Sequence, residues 1–246
     1  MTATTETTAT TETTATTETT LADRMAELAG TFHQPVPLAE LLTTIVRAAQ
    51  DAIPGVDHVG VSLAHAQGRI ETVAWTDPIV GRIDDVQYSV EEGPCVDAIR
   101  TRRQSWSNDL AADVRWPRFG PQADALGIRS QMGVALFDEP SVVGGLNLYA
   151  GAVDAFDDET PRIAAIFATH AAHALGRTLR LDQLNEALIT RRTIGIAIGL
   201  VMERFQLDER RAFQFLIRTS QTGNVKLRTV AEQLIAEADQ RSTTPG

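Results

Sequence analysis

The segment from Arg191 to Phe205 constrains the fold of this chain more than any other stretch. Its apolar residues recur at helical spacing, so one stripe of a helix faces a core; they are Ile194, Ala197, Ile198, Val201 and Phe205. Gly195 and Gly199 lie in the same helix, and each costs it roughly 1 kcal/mol relative to alanine. Close approach of another helix at this Gly-x-x-x-Gly face would compensate, although the established use of that motif is in membranes.

Two shorter helices are predicted to follow this one. Asp208 is placed to cap a helix from Glu209 to Ser220. Gly223 is expected to end that helix in the left-handed conformation, and Asn224 to cap a third helix. Three short helices bury only a marginal core, so this module is expected to depend on a partner. The residues expected to face inward are Ala212, Phe213, Leu216 and Ile217 in the second helix and Leu227, Val230, Ala231, Leu234 and Ile235 in the third.

The residues of this helical module resemble a known family. The pattern is Ile194-Gly195-x-Ala197-x-Gly199 with the run Leu200 to Arg204, then Ala212-Phe213-x-x-Leu216, then Ser220-x-x-x-Asn224-x-Lys226-Leu227-Arg228-x-Val230-Ala231. It is similar to the ANTAR domain and covers the last quarter of the chain. The resemblance implies that the protein binds paired RNA hairpins as a dimer and prevents premature transcription termination.

Positively charged and polar residues near the helix ends are the candidates for RNA contact. Arginine stacks on unpaired bases and pairs with phosphate, which suits hairpin loops better than the deep major groove of an RNA stem. Ion pairs within the chain are the alternative, as between Arg204 and Asp208 or Glu209. The candidate RNA-binding residues are Arg191, Arg192, Arg204, Arg218, Ser220, Asn224, Lys226 and Arg228.

Length, cysteine content and hydropathy limit the number of domains, the cellular location and the kinds of site that this chain can have. At 246 residues the chain has room for one medium domain and a small one. It has no apolar run of the ~18–20 residues that a membrane span requires and no basic-then-apolar signal peptide, so we expect a cytoplasmic protein without membrane contact. The single cysteine, Cys95, excludes an intramolecular disulfide and a multi-thiolate metal site.

The charge is distributed unevenly along the chain. The net charge of −10 argues against indiscriminate binding to nucleic acid. Residues 182–246 hold nine basic and eight acidic side chains. The acidic excess therefore belongs to the front of the chain, and the C-terminal module is nearly neutral.

The first twenty residues are dominated by a repeat. Residues 2–19 are three copies of Thr-Ala-Thr-Thr-Glu-Thr, which cannot bury enough surface to offset the entropy of ordering. Residues 1–20 and 241–246 are therefore predicted to be disordered. Residues 21–37 are predicted to form a short helix, Leu21 to Gly30, and a linker.

Between this tail and the helical module, helices and strands follow an α+β order. A helix from Leu38 ends at Pro54-Gly55, and a long helix begins at Thr160 and enters the C-terminal module. The elements predicted between them are strands Val59–Ala64 and Ile70–Trp75 with a turn at Gln67-Gly68, helix Pro94–Arg102, a strand near Gln104–Ser107, the loop Asp109–Gly127, and strands Ser130–Phe137 and Val142–Ala150.

Four motifs in this region resemble a second family. They are Glu91-Glu92-Gly93-Pro94-Cys95, Trp106-x-x-Asp109, Arg115-Trp116-Pro117 and Phe156-Asp157-Asp158-Glu159. They make residues 38–180 similar to a GAF domain, which implies a central antiparallel sheet flanked by helices, with a ligand pocket on one face of the sheet. Residues 181–190 are the expected helical connector and residues 191–240 the ANTAR domain, an order found in actinobacterial regulators.

The identity of a ligand for this pocket is open. Asn147 is followed by Leu148, not by the lysine of cyclic-nucleotide GAF domains, so a small molecule and a protein signal are both alternatives. Cys95 stands at a predicted helix start, where the dipole would lower the pKa of its thiol and suit a redox sensor; a buried structural cysteine is the alternative. The candidates for lining the pocket, if they are not core or dimer-interface residues, are Trp75, Tyr88, Cys95, Trp106, Trp116, Phe119 and Phe137.

The long helix carries a candidate seam for a homodimer. Leu181, Leu184 and Leu188 are spaced three and then four apart, and packing of the helix on its own domain is the alternative. His170 and His173 have no third metal ligand in view, and no catalytic set of residues stands out, so we expect neither a metal site nor an enzyme. We expect a signal-responsive antiterminator that binds tandem RNA hairpins. The alternatives are a DNA-binding transcription factor and a GAF-mediated protein-interaction regulator without nucleic acid.

Overall fold

A computed structural model describes the chain at residues 36–65, 68–138 and 141–243. The chain divides into two compact units, the first ending at Leu179 and the second beginning at Arg180. The Thr-Ala-Glu repeat, the helix predicted at Leu21 to Gly30 and the predicted turn residue Gln67 lie outside the described residues.

The first unit is an α+β domain built on a five-stranded antiparallel sheet, so the predicted fold class is confirmed. Helix α5 (Thr160–Phe205) begins in this unit and ends in the second, where α6 (Glu209–Gly223) and α7 (Leu227–Thr243) follow. The other elements are helices α1 (Leu38–Ala52), α2 (Ile79–Val90), α3 (Pro94–Thr101) and α4 (Gly120–Ala125) and strands β1 (His58–Ala64), β2 (Ile70–Trp75), β3 (Ser105–Ser107), β4 (Ser130–Asp138) and β5 (Ser141–Ala150).

The strands lie in the order β2-β1-β5-β4-β3, and each neighbouring pair is antiparallel. Side chains of a strand alternate between the two faces of the sheet. One face belongs to the main core, together with α1 and the first part of α5, and presents Val59, Val61, Met132, Val134, Leu146 and Leu148. The opposite face lies under α2 and α3 and presents Ser62, Thr72, Gln131, Asn147 and Tyr149.

Helix α1 forms because its apolar residues fall on one stripe. Its buried residues are Leu41, Leu42, Ile45, Val46 and Ala49, and burial of each large side chain contributes roughly 1.5–3 kcal/mol. The chain then turns sharply toward β1 through Gly55, which has a φ of +75°. A side chain at Gly55 would collide with the backbone carbonyl of Ala155, so only glycine fits this turn.

Two helices of the first unit were not predicted from the sequence. The buried face of α2 consists of Val80, Ile83, Asp84 and Gln87, so half of it is polar and the apolar period is broken. Helix α4 has six residues and lies inside the segment predicted as the loop Asp109–Gly127. Helix α2 covers the sheet and brings a buried carboxyl group with it, and α4 packs against α2.

The second unit is a three-helix module formed by the end of α5 with α6 and α7. Its buried core is small and consists of Ala197, Val201, Ala212, Leu216, Val230 and Ala231. The ring of Phe205 lies 5.3 Å from that of Phe215. Asp208 caps α6 as predicted, since its carboxylate accepts a hydrogen bond of 2.8 Å from the backbone N–H of Arg211.

Three expectations for this module are wrong. Phe213 is 39% exposed, and Phe215 packs against the core in its place. Asn224, not Gly223, takes the left-handed conformation, with φ 49° and ψ 41°. Asn224 therefore ends α6 and does not cap α7, and asparagine is able to do so because its short polar side chain tolerates this region.

The two helix glycines have open space around them. A Cβ atom added at Gly195 or Gly199 would meet no described atom within 4 Å outside its own helix backbone. Close approach of another helix within the described part of the chain therefore does not compensate for the cost of these glycines.

Candidate sensor core and nucleic-acid interface

A cluster of hydrogen-bonded polar side chains lies between the sheet and helix α2. The carboxylate of Asp84 accepts hydrogen bonds from Thr72 Oγ1 (2.6 Å), from the Tyr149 hydroxyl and from Gln87 Nε2 (3.0 Å). The Tyr88 hydroxyl is hydrogen-bonded to Thr72 Oγ1 at 2.8 Å and to Ser62 Oγ at 2.7 Å. The cluster therefore ties strands β1, β2 and β5 to one helix.

Burial controls the ionisation of this cluster. Desolvation raises the pKa of Asp84 to about 6, although the hydrogen bonds from Thr72, Tyr149 and Gln87 oppose the shift. Burial also raises the pKa of both Tyr88 and Tyr149, so each hydroxyl keeps its proton. The cluster thus contains one fully buried carboxyl group that titrates close to neutral pH.

Cys95 lies in the first turn of α3, against this cluster. The thiol is fully buried, and desolvation raises its pKa to about 12, with the charge of Asp84 adding to the effect. The expectation that the helix dipole lowers this pKa is wrong, because the cost of burying a thiolate exceeds the gain from the dipole. Its backbone N–H donates to Gln87 Oε1 at 3.1 Å, so Cys95 is a structural residue that joins α3 to α2.

Two buried amides extend the cluster across the sheet. Asn147 donates from Nδ2 to Ser62 Oγ at 2.9 Å, but its Oδ1 atom has no hydrogen-bond partner among the described residues. Gln131 lies opposite Tyr149 in the register of β4 and β5, and both polar atoms of its amide are likewise without a partner there. A buried amide group that makes no hydrogen bond costs about 1–3 kcal/mol. Each of these three atoms therefore has hydrogen-bonding capacity that the described residues do not use.

The seven predicted pocket residues occupy different environments. Tyr88 and Cys95 meet in the polar cluster, where the thiol sulfur lies 3.9 Å from the Tyr88 hydroxyl. Trp116 and Phe119 are buried in an apolar cluster with Leu110 and Ile128, and this cluster also contains Tyr149. Of these four predicted residues, only Tyr88 and Cys95 form hydrogen bonds within the polar cluster.

The other three aromatic residues lie at the sheet periphery. Trp75 is 47% exposed on β2 and Trp106 is 40% exposed on β3, and these strands are the two opposite edges of the sheet. Phe137 is half-buried on β4, with the guanidinium of Arg102 5.9 Å from its ring centre. The sequence reasoning selected six aromatic residues and Cys95, and did not include Asp84, Thr72 or Asn147 among the pocket candidates. The sequence alone holds no signal that separates these inward polar residues from polar residues in solvent.

The candidate RNA-binding residues of the second unit fall into two groups by their contacts. Arg191, Arg192, Arg218 and Lys226 are exposed and form no ion pair with the described residues. Arg228 is paired with Glu232 at 2.8 Å, which raises the pKa of its guanidinium. Arg204 lies 3.9 Å from Glu237, not beside Asp208 or Glu209 as the sequence suggested. Exposed pairs of this kind contribute little and can exchange for a phosphate.

Ser220 and Asn224 shape the turn between α6 and α7. The Ser220 hydroxyl donates to the Val225 carbonyl at 2.6 Å, and the Val225 N–H donates to the Ser220 carbonyl at 3.0 Å. This turn brings Lys226 and Arg228 to the start of α7, where the Lys226 carbonyl accepts from the N–H of Val230. The unpaired N–H groups and the positive dipole end of a helix N-terminus favour anions, so the basic side chains and the helix act in the same direction.

The candidate seam residues are exposed on α5. Leu181, Leu184 and Leu188 are 45%, 59% and 57% exposed. Beside them, a groove between α5 and α6 is lined by Ala187, Ile194, Ile198 and Phe213 among others. Side chains of this size are rarely left in water as a continuous stripe unless they meet a partner.

Within the described ranges, no helix is long and apolar enough to cross a membrane. The same ranges contain no group of three His, Cys, Asp or Glu side chains arranged to hold a metal ion. His170 and His173 are both exposed on α5.

Two family models match this chain, one within each unit. Residues 36–176 match the family model of the GAF domain, and residues 182–235 match that of the ANTAR domain. The chain belongs to the GAF domain family and has the GAF-ANTAR architecture that its motifs predicted. A GAF domain is a sensor domain, and an ANTAR domain is an RNA-binding antitermination module.

Solved structures share the fold of the first unit. One is the GAF domain of a phosphoenolpyruvate-protein phosphotransferase from Coxiella burnetii, which is 12% identical in sequence and has a TM-score of 0.54. The aligned region covers 66% of this chain and 96% of the Coxiella chain. The free methionine-R-sulfoxide reductase of Neisseria meningitidis, in complex with its substrate, is 14% identical with a TM-score of 0.52, and covers 65% and 91%. At these identities the likeness shows the fold alone. The comparison with curated proteins finds no match.

Proposed function

We propose that this protein is a cytoplasmic, signal-responsive transcription antiterminator that binds paired RNA hairpins as a homodimer and has no enzymatic activity. The observation that carries the proposal is the ANTAR match over residues 182–235, whose α6–α7 turn presents exposed basic side chains. The protein stabilises an antiterminator hairpin in nascent RNA, so that a competing terminator does not form.

The candidate residues contact different parts of the RNA. Lys226 and Arg228, at the start of α7, contact backbone phosphates. Arg191, Arg192 and Arg218 stack on unpaired loop bases or pair with further phosphates. No covalent step is needed, because a protein that binds only one RNA fold stabilises it by mass action, roughly 2.7 kcal/mol at a hundredfold excess over Kd.

The dimer supplies one binding module for each hairpin. The exposed Leu181, Leu184 and Leu188 have the spacing of a coiled-coil seam. About half of each side chain is still exposed, so burial in a dimer contributes roughly 1 kcal/mol for each. A protein with two linked modules then prefers RNA with two linked loops, since the second contact is intramolecular.

The GAF domain supplies the response to a signal. A small polar molecule that hydrogen-bonds the buried amides of Gln131 and Asn147 would change the packing around Asp84. Helix α5 is continuous from the sheet core, where Ala164 and Phe167 are buried, to the ANTAR core at Ala197. It is therefore the element by which the change reaches the RNA-binding module.

Direct RNA binding tests this proposal. The purified protein is titrated with a tandem pair of hexaloop hairpins, a single hairpin and duplex DNA, alongside Lys226→Ala/Arg228→Ala and the control Arg210→Ala, an exposed arginine outside the candidate set. We expect the tandem RNA to bind best. The double variant should bind at least about tenfold more weakly, since a hydrogen bond to a charged group contributes roughly 1.5–3 kcal/mol. Its salt slope should also be shallower by roughly 0.7 for each phosphate that it no longer neutralises.

Other outcomes favour the alternatives. Preference for duplex DNA indicates a DNA-binding transcription factor. Absence of binding to any nucleic acid at low salt, both by the full chain and by residues 182–246 shown to be folded, contradicts the proposal and favours a protein-interaction regulator.

A further inference from the structure

The outer edge of β4 is open beyond its short pairing with β3. Strand β3 has three residues and pairs with Gln131, Met132 and Gly133, whereas β4 continues to Asp138. Before β3, helix α3 ends at Arg102, which has a left-handed φ of 59°, and residues 102–104 line a groove beside this edge without forming strand pairs with β4. Among the described residues, no strand pairs with the outer edge of β4 from Val134 onward.

A groove runs along this open edge, between β4 and α5. Arg102 and Arg103 line one side of it, the ring of Phe137 contributes from β4, and Ala165, Ala168 and His173 contribute from α5. None of the residues that line the groove is acidic. An exposed strand edge beside a groove is the arrangement that accepts an extended segment by strand addition.

The charge of the groove selects the kind of segment. Arg102 and Arg103 are exposed and form no ion pair with the described residues. Arg102 is fixed above Phe137, with its guanidinium carbon 5.9 Å from the ring centre. In a chain of net charge −10 this is a local site of positive charge, and an extended acidic segment complements it.

The N-terminal repeat of this chain has the matching chemistry. Its period of six is a multiple of the two-residue period of a strand, so an extended conformation places Glu6, Glu12 and Glu18 on one face and the repeat alanines on the other. A helical conformation would scatter the glutamates around the axis. Thirteen of the first twenty residues are threonine, a β-branched residue that favours strands.

The repeat is also able to reach the groove. The residues from Thr20 to Val36 can span up to roughly 50 Å when extended, whereas a sheet of five strands is about 20 Å wide. The repeat can therefore lie along either edge of the sheet of its own chain.

We propose that the N-terminal repeat adds as a strand to the outer edge of β4 of its own chain, with its glutamates toward Arg102 and Arg103. Backbone hydrogen bonds along β4 provide the affinity, and the alternation of side chains sets the register. Three identical copies provide equivalent registers six residues apart, each with the same faces. The repeat thereby covers a strand edge that would otherwise pair with another chain. This inference does not depend on RNA binding.

Amide hydrogen exchange of the full chain and of a variant lacking residues 2–20 tests the proposal. At low salt, those amides of residues 134–137 that point away from β5 should exchange about tenfold more slowly in the full chain, because pairing at an edge protects only while the local contact is closed. The alternate amides, which point toward β5, should exchange equally in the two proteins and are the internal control. A synthetic peptide of residues 1–20, added to the truncated variant, should restore the protection as its concentration rises. Equal exchange of the outward-pointing amides in the two proteins would overturn the proposal.

Charge variants separate strand docking from a general effect of the tail. Arg102→Gln/Arg103→Gln and Glu6→Gln/Glu12→Gln/Glu18→Gln should each remove most of the protection, whereas the control Arg47→Gln, an exposed arginine on α1, should not. Combining Arg102→Glu/Arg103→Glu with Glu6→Lys/Glu12→Lys/Glu18→Lys should restore the protection, because the charges are then complementary again. Protection that survives both sets of charge variants, or that disappears on dilution of the protein, contradicts the proposed intramolecular pairing. Circular dichroism establishes that each variant is folded.

Discussion

The two faces of the central sheet come from the same strands but bury opposite kinds of side chain. Under α1 and α5, residues such as Leu146 and Leu148 pack in an apolar core. Under α2, the alternate positions hold Asn147 and Tyr149, which belong to a hydrogen-bonded cluster around Asp84. Apolar side chains pack in one well-filled arrangement, whereas the hydrogen bonds of a polar cluster change with its protonation. The apolar face is therefore expected to supply most of the stability of the domain, and the polar face to supply the part that depends on pH.

The largest loss of stability should follow from a substitution that creates a cavity on the apolar face. Leu148 is fully buried, so Leu148→Ala should lower the free energy of unfolding by about 2–5 kcal/mol at any pH between 4 and 8. Urea denaturation followed by circular dichroism measures it. A decrease below about 1 kcal/mol would show that this face does not carry the stability of the domain.

On the polar face, the contribution of Asp84 to the free energy of unfolding should depend on pH. The pKa of Asp84 in the folded protein is about 6, above its ordinary value of 3.8. The folded state therefore binds this proton more tightly, and stability falls as the pH rises from about 4 to 6, by up to roughly 3 kcal/mol. Asp84→Asn should lack this part of the pH dependence. Denaturation of both proteins at pH 4, 5, 6 and 7 measures the difference, and parallel stability curves would contradict the assignment.

A smaller effect should follow from the unpartnered amide of Gln131. Gln131→Met keeps the length of the side chain and removes two polar atoms that have no partner among the described residues. We expect the free energy of unfolding to rise by about 1–2 kcal/mol, since the buried polar group is removed. If the variant is instead destabilised, the Gln131 amide already makes stabilising hydrogen bonds in the protein without a ligand. That outcome would place Gln131 with the structural residues of the domain.

The strands and helices α1, α3 and α5 were predicted from the sequence, but the buried polar cluster was not, for a physical reason. Helix α1 and strands β1 and β4 place apolar residues at regular intervals on the side that faces the main core, and this pattern depends only on burial. Helix α2 was missed because Asp84 and Gln87 follow Val80 and Ile83 on its buried side, so the run of inward apolar residues is interrupted after one turn. A polar residue at an inward position has the same sequence pattern as one in solvent until its partners, such as Thr72, are placed beside it by the fold.

The same limit explains the turn between α6 and α7. Glycine was expected at the left-handed position because it has no Cβ penalty, yet Asn224 occupies it. The bond from the Ser220 hydroxyl to the Val225 carbonyl helps to hold that turn, and contacts across a turn are not encoded by the propensity of one residue. The family resemblance implied RNA as the partner, the candidate residues were chosen as basic or polar residues near the helix ends, and most of them are exposed on the second unit.

The composition of the second core has a consequence for its response to temperature. Ala197, Ala212 and Ala231 make up half of the buried residues that join α5, α6 and α7. Alanine removes little apolar surface from water, so the opening of this module carries a small heat-capacity change. The free energy of unfolding of this module therefore changes only gradually with temperature. The module should open locally at a lower free energy than the GAF sheet, and a bound RNA would raise that free energy over the whole range of growth temperatures.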